Sequence, residues 1–150
     1  MAATDGRHAM RFMLLLKGDP PPGAMPPAHL VQAMHDYDSE LAKAGVLLAA
    51  EGLWDSSQGA RVIYAKGERT VVDGPFTEAK ELVAGFYLID VKSPEEAIEW
   101  ARRCPIDAAI PPGSDWEAVI EVRKVAEPTE ITTITEEQAA HAEQFRLGRS

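Results

Sequence analysis

Three carboxylates and a rigid turn fall within nine residues of this chain. The segment 73–81 reads Asp-Gly-Pro-Phe-Thr-Glu-Ala-Lys-Glu and separates two strand-like stretches. Asp accepts hydrogen bonds from backbone N–H groups, Gly can take a positive φ, and Pro fixes φ near about −65°. Such a corner could hold Asp73, Glu78 and Glu81 around one small cavity, with Glu51 as a fourth member. Clustered carboxylates can share protons as acid and base, or bind a divalent cation through oxygen.

The same nine residues also have a purely structural interpretation. Asp-Gly-Pro is good turn chemistry by itself, so Asp73 could serve only as a turn acceptor. Glu78 would then begin a helix, and Lys80 with Glu81 would be a solvated charge pair. The residues alone favour this second interpretation.

His29 is the second candidate for chemistry. It stands in the first turn of a predicted helix, after a Pro-rich loop, and imidazole titrates near neutral pH. It could act as a general base, with Asp73 as its catalytic partner, or it could be an exposed histidine beside a loop.

Other side chains give weaker signals. His35 and Asp36 are adjacent and therefore do not face each other on a helix. Cys104, the single cysteine, falls on an apolar helical stripe, which indicates a buried and inert thiol. We find no Cys/His cluster and no Gly-rich phosphate loop, and we expect neither a metal site nor a cofactor.

The elements that must position these residues alternate between strands and helices. Arg11–Leu16 predicts a strand, and apolar residues at helical spacing from Leu30 to Ala44 predict a helix that Gly45 ends. Val46–Ala50, Arg61–Ala65 and Thr70–Val72 predict three further strands, the last two joined by a turn at residues 67–68.

The second half repeats this alternation. Ala84–Val91 is the strongest strand candidate, and Ser93 with Glu96 predicts the capped start of a helix that Pro105 ends. After a loop over residues 106–115, the alternation of Trp116–Arg123 predicts a final strand. Thr135 begins a weakly apolar helix in the tail.

The order β-α-β-(ββ)-β-α-β predicts an α+β fold, a ferredoxin-like split β-α-β with an inserted small hairpin. Both helices would cover one face of the sheet and leave an apolar face bare, which is a liability for a monomer. A second copy packed face to face would cover it. We therefore expect a homodimer in the form of a dimeric α+β barrel, with residues 1–10 flexible, 11–126 as the domain and 127–150 as an extension.

Composition narrows the class of partner. The net charge of −9 over 150 residues disfavours binding to nucleic acid or to anionic membranes. No apolar run approaches the ~20 residues of a membrane helix, and one cysteine excludes an intrachain disulfide. We expect a cytoplasmic protein.

The chain resembles the YCII-related family, in the branch named for its Asp-Gly-Pro-Phe motif. The resemblance covers roughly residues 11–124 and lies in the order and spacing of several short pieces. These are Phe12-Met13-Leu14-Leu15, Lys17-Gly18-Asp19, Ala44-Gly45-Val46-Leu47, Glu51-Gly52-Leu53, Asp73-Gly74-Pro75-Phe76 with Glu78, Lys80 and Glu81, Gly85-Phe86-Tyr87, Glu95-Glu96-Ala97, and Trp100 to Cys104-Pro105.

This resemblance implies a dimeric α+β barrel with a pocket near the subunit interface. Members of the branch often accompany extracytoplasmic-function sigma factors. In the wider family a His and an Asp are proposed for an active site, and His29 matches that His. The wider family often has Asp before Pro after its second helix, where this chain has Cys104-Pro105.

Two functions follow as hypotheses, beside a third interpretation in which the protein is a purely structural dimer with no site. The first is a small-molecule-binding module, sensory or linked to sigma-factor regulation through a protein partner, with Glu51, Phe76, Glu78 and Glu81 as ligand-binding residues. The alternative is a small-molecule enzyme that uses His29 and a carboxylate such as Asp73 as acid and base. The Cys104-Pro105 departure favours the first.

Overall fold

The computed structural model describes residues 10–146. Its strands and helices are β1 (Met10–Lys17), α1 (Ala28–Lys43), β2 (Leu47–Gly52), β3 (Ala60–Ala65), β4 (Glu68–Asp73), β5 (Val83–Val91), α2 (Pro94–Arg103), β6 (Val119–Lys124) and α3 (Glu136–Glu143). Short 3₁₀ turns lie at Ser56–Gln58, Ala79–Glu81, Ile106–Ala109 and Pro128–Glu130.

Four strands form the main sheet in the order β2-β5-β1-β6, and every neighbouring pair is antiparallel. The strands β3 and β4 form a separate two-stranded sheet. Helices with antiparallel sheets make this an α+β fold, which confirms the predicted class.

The core lies between the main sheet and the first two helices. Phe12, Leu14 and Leu16 alternate along β1 and are buried, because alternate side chains of a strand point to one face. From the helices, Tyr37 and Trp100 join the same cluster, and the Tyr37 hydroxyl donates a hydrogen bond to the Trp100 carbonyl at 2.7 Å. This bond ties α1 to α2 over one face of the sheet.

The helix boundaries follow the local signals in the sequence. Gly45 has φ of 75° directly after the last turn of α1, as its helix-ending role requires. At the start of α2 the Ser93 hydroxyl accepts a hydrogen bond from the Glu96 N–H. The Glu96 carboxylate accepts from the N–H of Lys92 rather than of Ser93, so the cap is reciprocal but displaced by one residue.

The second face of the sheet is apolar at its centre. The register pairs Met13 with Leu88 and Leu15 with Phe86, and these four side chains point away from the two helices. At one end this face is covered: Leu88 is 2% exposed, and Arg11 forms an ion pair with Glu127 at 3.0 Å. The C-terminal segment therefore reaches the second face at the Arg11 end.

The predicted strand boundaries differ most from the structure at two places. The strand expected from Trp116 begins only at Val119, which pairs with Lys17, the last residue of β1. Residues 116–118 therefore have no strand to pair with, despite their alternation. The hairpin strands are longer than expected, since the turn lies at Lys66-Gly67, both with positive φ, and Ala65 pairs with Glu68.

Candidate functional site

One end of the main sheet collects most of the loops. The strands β1 and β2 end there, while β5 and β6 begin there, because each of these pairs runs antiparallel to the other. The Asp-Gly-Pro-Phe corner, the loop after β1 and the segment between α2 and β6 thus share this end with His29 at the start of α1. The fold brings the two predicted halves of the site to the same end of the sheet.

The Asp-Gly-Pro-Phe corner is built on the turn at Ser56–Gln58. The Gly74 N–H donates to the Gly59 carbonyl at 2.9 Å, and the Gly74-Pro75 bond is cis. A Cβ on Gly74 would overlap the Ser56 carbonyl oxygen, so the glycine is required by close backbone approach. Its position in the motif therefore has a packing reason.

Asp19 and Ser56 connect this corner to the loop after β1. The Asp19 carboxylate accepts from the Ser56 N–H at 2.7 Å and from the Ser56 hydroxyl at 2.5 Å. The Ser56 oxygen in turn accepts from the Phe76 N–H at 2.9 Å. The sequence interpretation gave these two residues no role. The position of Asp19, two residues after the end of β1, was the signal that could have indicated one.

Phe76 and Glu78, two of the predicted ligand-binding residues, meet through Arg61. The Arg61 guanidinium lies 3.9 Å from the centre of the Phe76 ring and 3.8 Å from a Glu78 carboxylate oxygen. The Thr77 hydroxyl donates to Glu78 at 2.7 Å, and this bond, with a smaller contribution from Arg61, lowers the pKa of the Glu78 carboxyl. An aromatic ring, a cation and an anion thus stand together on the surface.

The other predicted carboxylates are dispersed. Asp73 is an exposed residue at the end of β4 opposite Ala60, and Glu51 lies on β2 opposite Phe86. Glu81 contributes its backbone carbonyl, which accepts from the Lys17 ammonium at 3.3 Å. Within residues 10–146, no group of three or more His, Cys, Asp or Glu side chains converges as metal ligands would.

His29 contacts a carbonyl and not a carboxylate. Its Nε2 lies 3.0 Å from the Ala108 oxygen, in the 3₁₀ turn that follows α2. A carbonyl can only accept, so Nε2 carries the hydrogen and Nδ1 of the neutral ring keeps a free lone pair. No hydrogen bond of the described chain joins His29 to Asp73.

A cavity of about 460 Å³ lies behind the turn that His29 contacts. It is widely open to solvent between α2, the segment from residue 106 to 118 and β6, and its exposed lining is polar and apolar in similar measure, with one cation and one carboxylate. The main wall residues are Ile98, Arg102, Asp107, Ile110, Ile120 and Val122. The sequence interpretation missed these residues, since they come from three elements that meet only in the folded chain.

Cys104 also lines this cavity, and it is a buried thiol as the sequence predicted. Burial, with a smaller effect of Asp38 and Asp107, raises the pKa of the Cys104 thiol to about 12. A thiol that stays protonated at neutral pH is a weak nucleophile. The geometry therefore gives Cys104 a packing role.

Comparison with known proteins identifies the family. The model of the YCII-related domain matches residues 10–127. An uncharacterized protein of Rhizobium meliloti (strain 1021) is 43% identical over 60 residues, which are 40% of this chain and 48% of that relative. The chain thus spans about half the length of the curated relative that it matches. Because the family model covers well over half of the sequence, the chain belongs to the YCII-related family.

Proposed function

We propose that this protein is a small-molecule-binding homodimer of the cytoplasm, in the Asp-Gly-Pro-Phe branch of its family. Its subunit is a ferredoxin-like split β-α-β with an inserted hairpin, and two subunits form a dimeric α+β barrel. The order β2-β5-β1-β6 supports this topology, since the first and third strands of the split β-α-β lie side by side at its centre.

The observation that carries the binding proposal is the cavity beside α2. Its volume of about 460 Å³ falls in the range of about 300–1,000 Å³ that is usual for small-ligand sites. Ile98, Ile110 and Ile120 supply apolar walls, while Arg102 and Asp107 supply one charge of each sign. Such a lining suits a small molecule that has apolar and polar parts and one charged group.

A panel of small apolar acids and amines tests this proposal through shifts in melting temperature. Replacement of Ala118, which lines the cavity, by leucine fills part of the space and is expected to abolish the shift given by an active compound. Ala140→Leu adds the same volume on the exposed surface of α3 and is expected to leave that shift unchanged. A shift that survives in Ala118→Leu would place binding elsewhere.

The dimer proposal is supported by the uneven covering of the sheet. Met13, Leu15 and Phe86 on the second face are only partly buried, with Lys17, Glu51 and Glu121 at its edges. An apolar centre with a charged rim is the usual layout of a protein interface. Sedimentation velocity should find a dimer in the parent protein and a monomer in Leu15→Glu. Val31→Glu, on the exposed side of α1, should remain dimeric.

The stacked Phe76, Arg61 and Glu78 lie at the loop end of the same sheet, and in the proposed dimer they form one rim of the pocket at the subunit interface. With Glu51 and Glu81 they remain the candidate ligand-binding residues of this second region. A sensory role coupled to a sigma factor would use ligand occupancy to change contact with that protein partner. Pull-down of a co-encoded sigma factor with and without ligand tests this role.

Catalysis by His29 is the second candidate. The free Nδ1 of His29, fixed by the Nε2–H bond to Ala108, gives an exposed base at the loop end of the sheet. Turnover of a bound compound should fall at least about tenfold in His29→Gln. His35→Gln, also exposed on α1, is the matched control and should keep full turnover. Equal rates in both variants would exclude His29 as the base.

A further inference from the structure

The hairpin β3–β4 stands apart from the rest of the molecule. Its two strands contact mainly each other, and eleven of its twelve strand residues are exposed, Arg61 being the exception. We call residues 60–73 the arm. A lone two-stranded ribbon is marginally stable in water, so an arm of this kind gains most of its order from a surface that covers it.

The arm exposes an unusual amount of apolar surface. Its register places Val62, Val71 and Tyr64 on one face, and they are 51%, 66% and 68% exposed. Trp54, which precedes the arm, is 63% exposed. Four further large apolar side chains are exposed. Ile63 and Val72 belong to the arm, Leu53 precedes Trp54, and Trp116 lies at the loop end of the main sheet.

The large apolar residues of the arm lie on both faces of the ribbon. Val62, Tyr64 and Val71 share one face as a patch on the order of 300 Å², while Ile63 and Val72 lie on the other face. A standard interface buries about 800 Å² per partner, so one face of the arm supplies part of such an interface. Exposed apolar patches of more than a few hundred Å² mark interaction sites in most proteins.

We propose that the arm of each subunit packs on the body of a second copy of this chain, beside the loop end of that copy's sheet. Two-fold exchange of arms covers both patches at once with a single kind of contact. Charge also favours this partner, because the arm carries three basic and two acidic side chains in a chain of net charge −9. The inference rests on the homodimer proposed above and adds that Tyr64 and Val62 of one copy lie against the loop end of the main sheet in the other.

Hydrogen exchange of the full chain, measured above and below the dissociation constant of the dimer, tests the arm directly. The amides of residues 60–73 are expected to exchange at least about tenfold more slowly in the dimer. Tyr64→Ser should weaken the dimer at least about tenfold, since it removes a large aromatic contact. Phe145→Ser, which removes an equally exposed aromatic ring from the C-terminal segment, should leave the dissociation constant unchanged.

The possible results of these experiments distinguish the proposal about the arm from the proposal of a dimer. A dimer in which the arm amides exchange equally at both concentrations, and which Tyr64→Ser does not weaken, overturns the arm proposal and leaves the sheet-to-sheet dimer standing. A protein that is monomeric at every concentration overturns both. Slower exchange of the arm only in the presence of another protein would also contradict the choice of a second copy.

Discussion

Gly74 offers the sharpest test at the scale of single residues. Its missing side chain lets the corner lie on the Ser56 carbonyl, so Gly74→Ala must displace backbone on one side or the other. We expect it to lower the free energy of unfolding by about 2–3 kcal/mol, in the range of overpacked sites. Urea denaturation at equilibrium measures this loss.

Gly59 is the matched control, because a Cβ there would meet the same Ser56 oxygen at an ordinary 3.6 Å. Its φ of −123° is open to alanine, so Gly59→Ala should change stability by no more than about 0.5 kcal/mol. Equal losses in the two variants would show that the close approach at Gly74 does not determine the corner.

Cys104 gives a prediction on reactivity. Burial raises the pKa of its thiol to about 12, so less thiolate is present at pH 8 than in the unfolded chain. Alkylation by iodoacetamide should therefore be at least about tenfold slower in the folded protein than in urea. In the unfolded chain the Cys104 thiol has its ordinary pKa of 9.0 and therefore loses its proton before the folded thiol does. Ionisation of this group favours unfolding, so its contribution lowers the free energy of unfolding as the pH rises from 9 towards 12.

Rapid alkylation of the folded protein at pH 8 would contradict the buried geometry of this thiol. Cys104→Ala serves as the control for the pH dependence. It should remove the part of the alkaline loss that belongs to the thiol and leave the part that belongs to Tyr37 and Tyr87, whose pKa values burial also raises.

At the scale of elements, the sequence predicted most of the fold because its signals are local. Caps such as Ser93, the helix-ending Gly45 and the alternation along β5 act within a few residues of themselves. The boundary at Trp116 failed because a strand needs a neighbour, and β1 ends at Lys17. Whether residues 116–118 pair depends on a segment about a hundred positions earlier.

The candidate site was predictable to a smaller extent, for the same reason. The corner at residues 73–76 is visible in the sequence, but its partners Asp19 and Ser56 come from two distant loops. The cavity beside α2 leaves no mark in the sequence at all, since Ile98 and Ile120 are ordinary apolar residues of a helix and a strand. A turn or a helix cap can be predicted from neighbouring residues, whereas a site formed by side chains from distant elements cannot.

The C-terminal segment carries the prediction that belongs to this scale. Glu127 contacts the guanidinium groups of Arg11 and Arg146, and all three side chains are mostly buried. Glu127→Gln removes a charge that both cations contact and should lower stability by about 1–3 kcal/mol. It should also speed hydrogen exchange in α3, which mass spectrometry of that helix would detect.

Glu40→Gln is the control for this loss of charge. Glu40 pairs with Arg103 at 2.8 Å, but both side chains are about half exposed, and exposed pairs contribute little. We expect a change within about 0.5 kcal/mol and no effect on α3. A similar small change in Glu127→Gln would mean that the segment is held by its other contacts.

At the scale of the whole molecule, the two faces of the main sheet are covered by different parts of the chain. Helices α1 and α2 bury the centre of one face, while the C-terminal segment covers only the Arg11 end of the other. No helix within residues 10–146 is long and apolar enough to cross a membrane. The partly exposed apolar side chains of the second face, with those of the arm, leave water only where another surface covers them.

If that surface is a second copy, stability must depend on concentration. Binding that favours the folded state stabilises it by mass action, so the melting temperature should rise by several degrees between about 1 and 100 μM protein. Leu15→Glu places a charge at the centre of the second face and should remove this dependence, whereas Val31→Glu on the outer side of α1 should keep it. A melting temperature independent of concentration in the parent protein would mean that each subunit folds alone with its second face in water, and the proposed barrel would then have no basis.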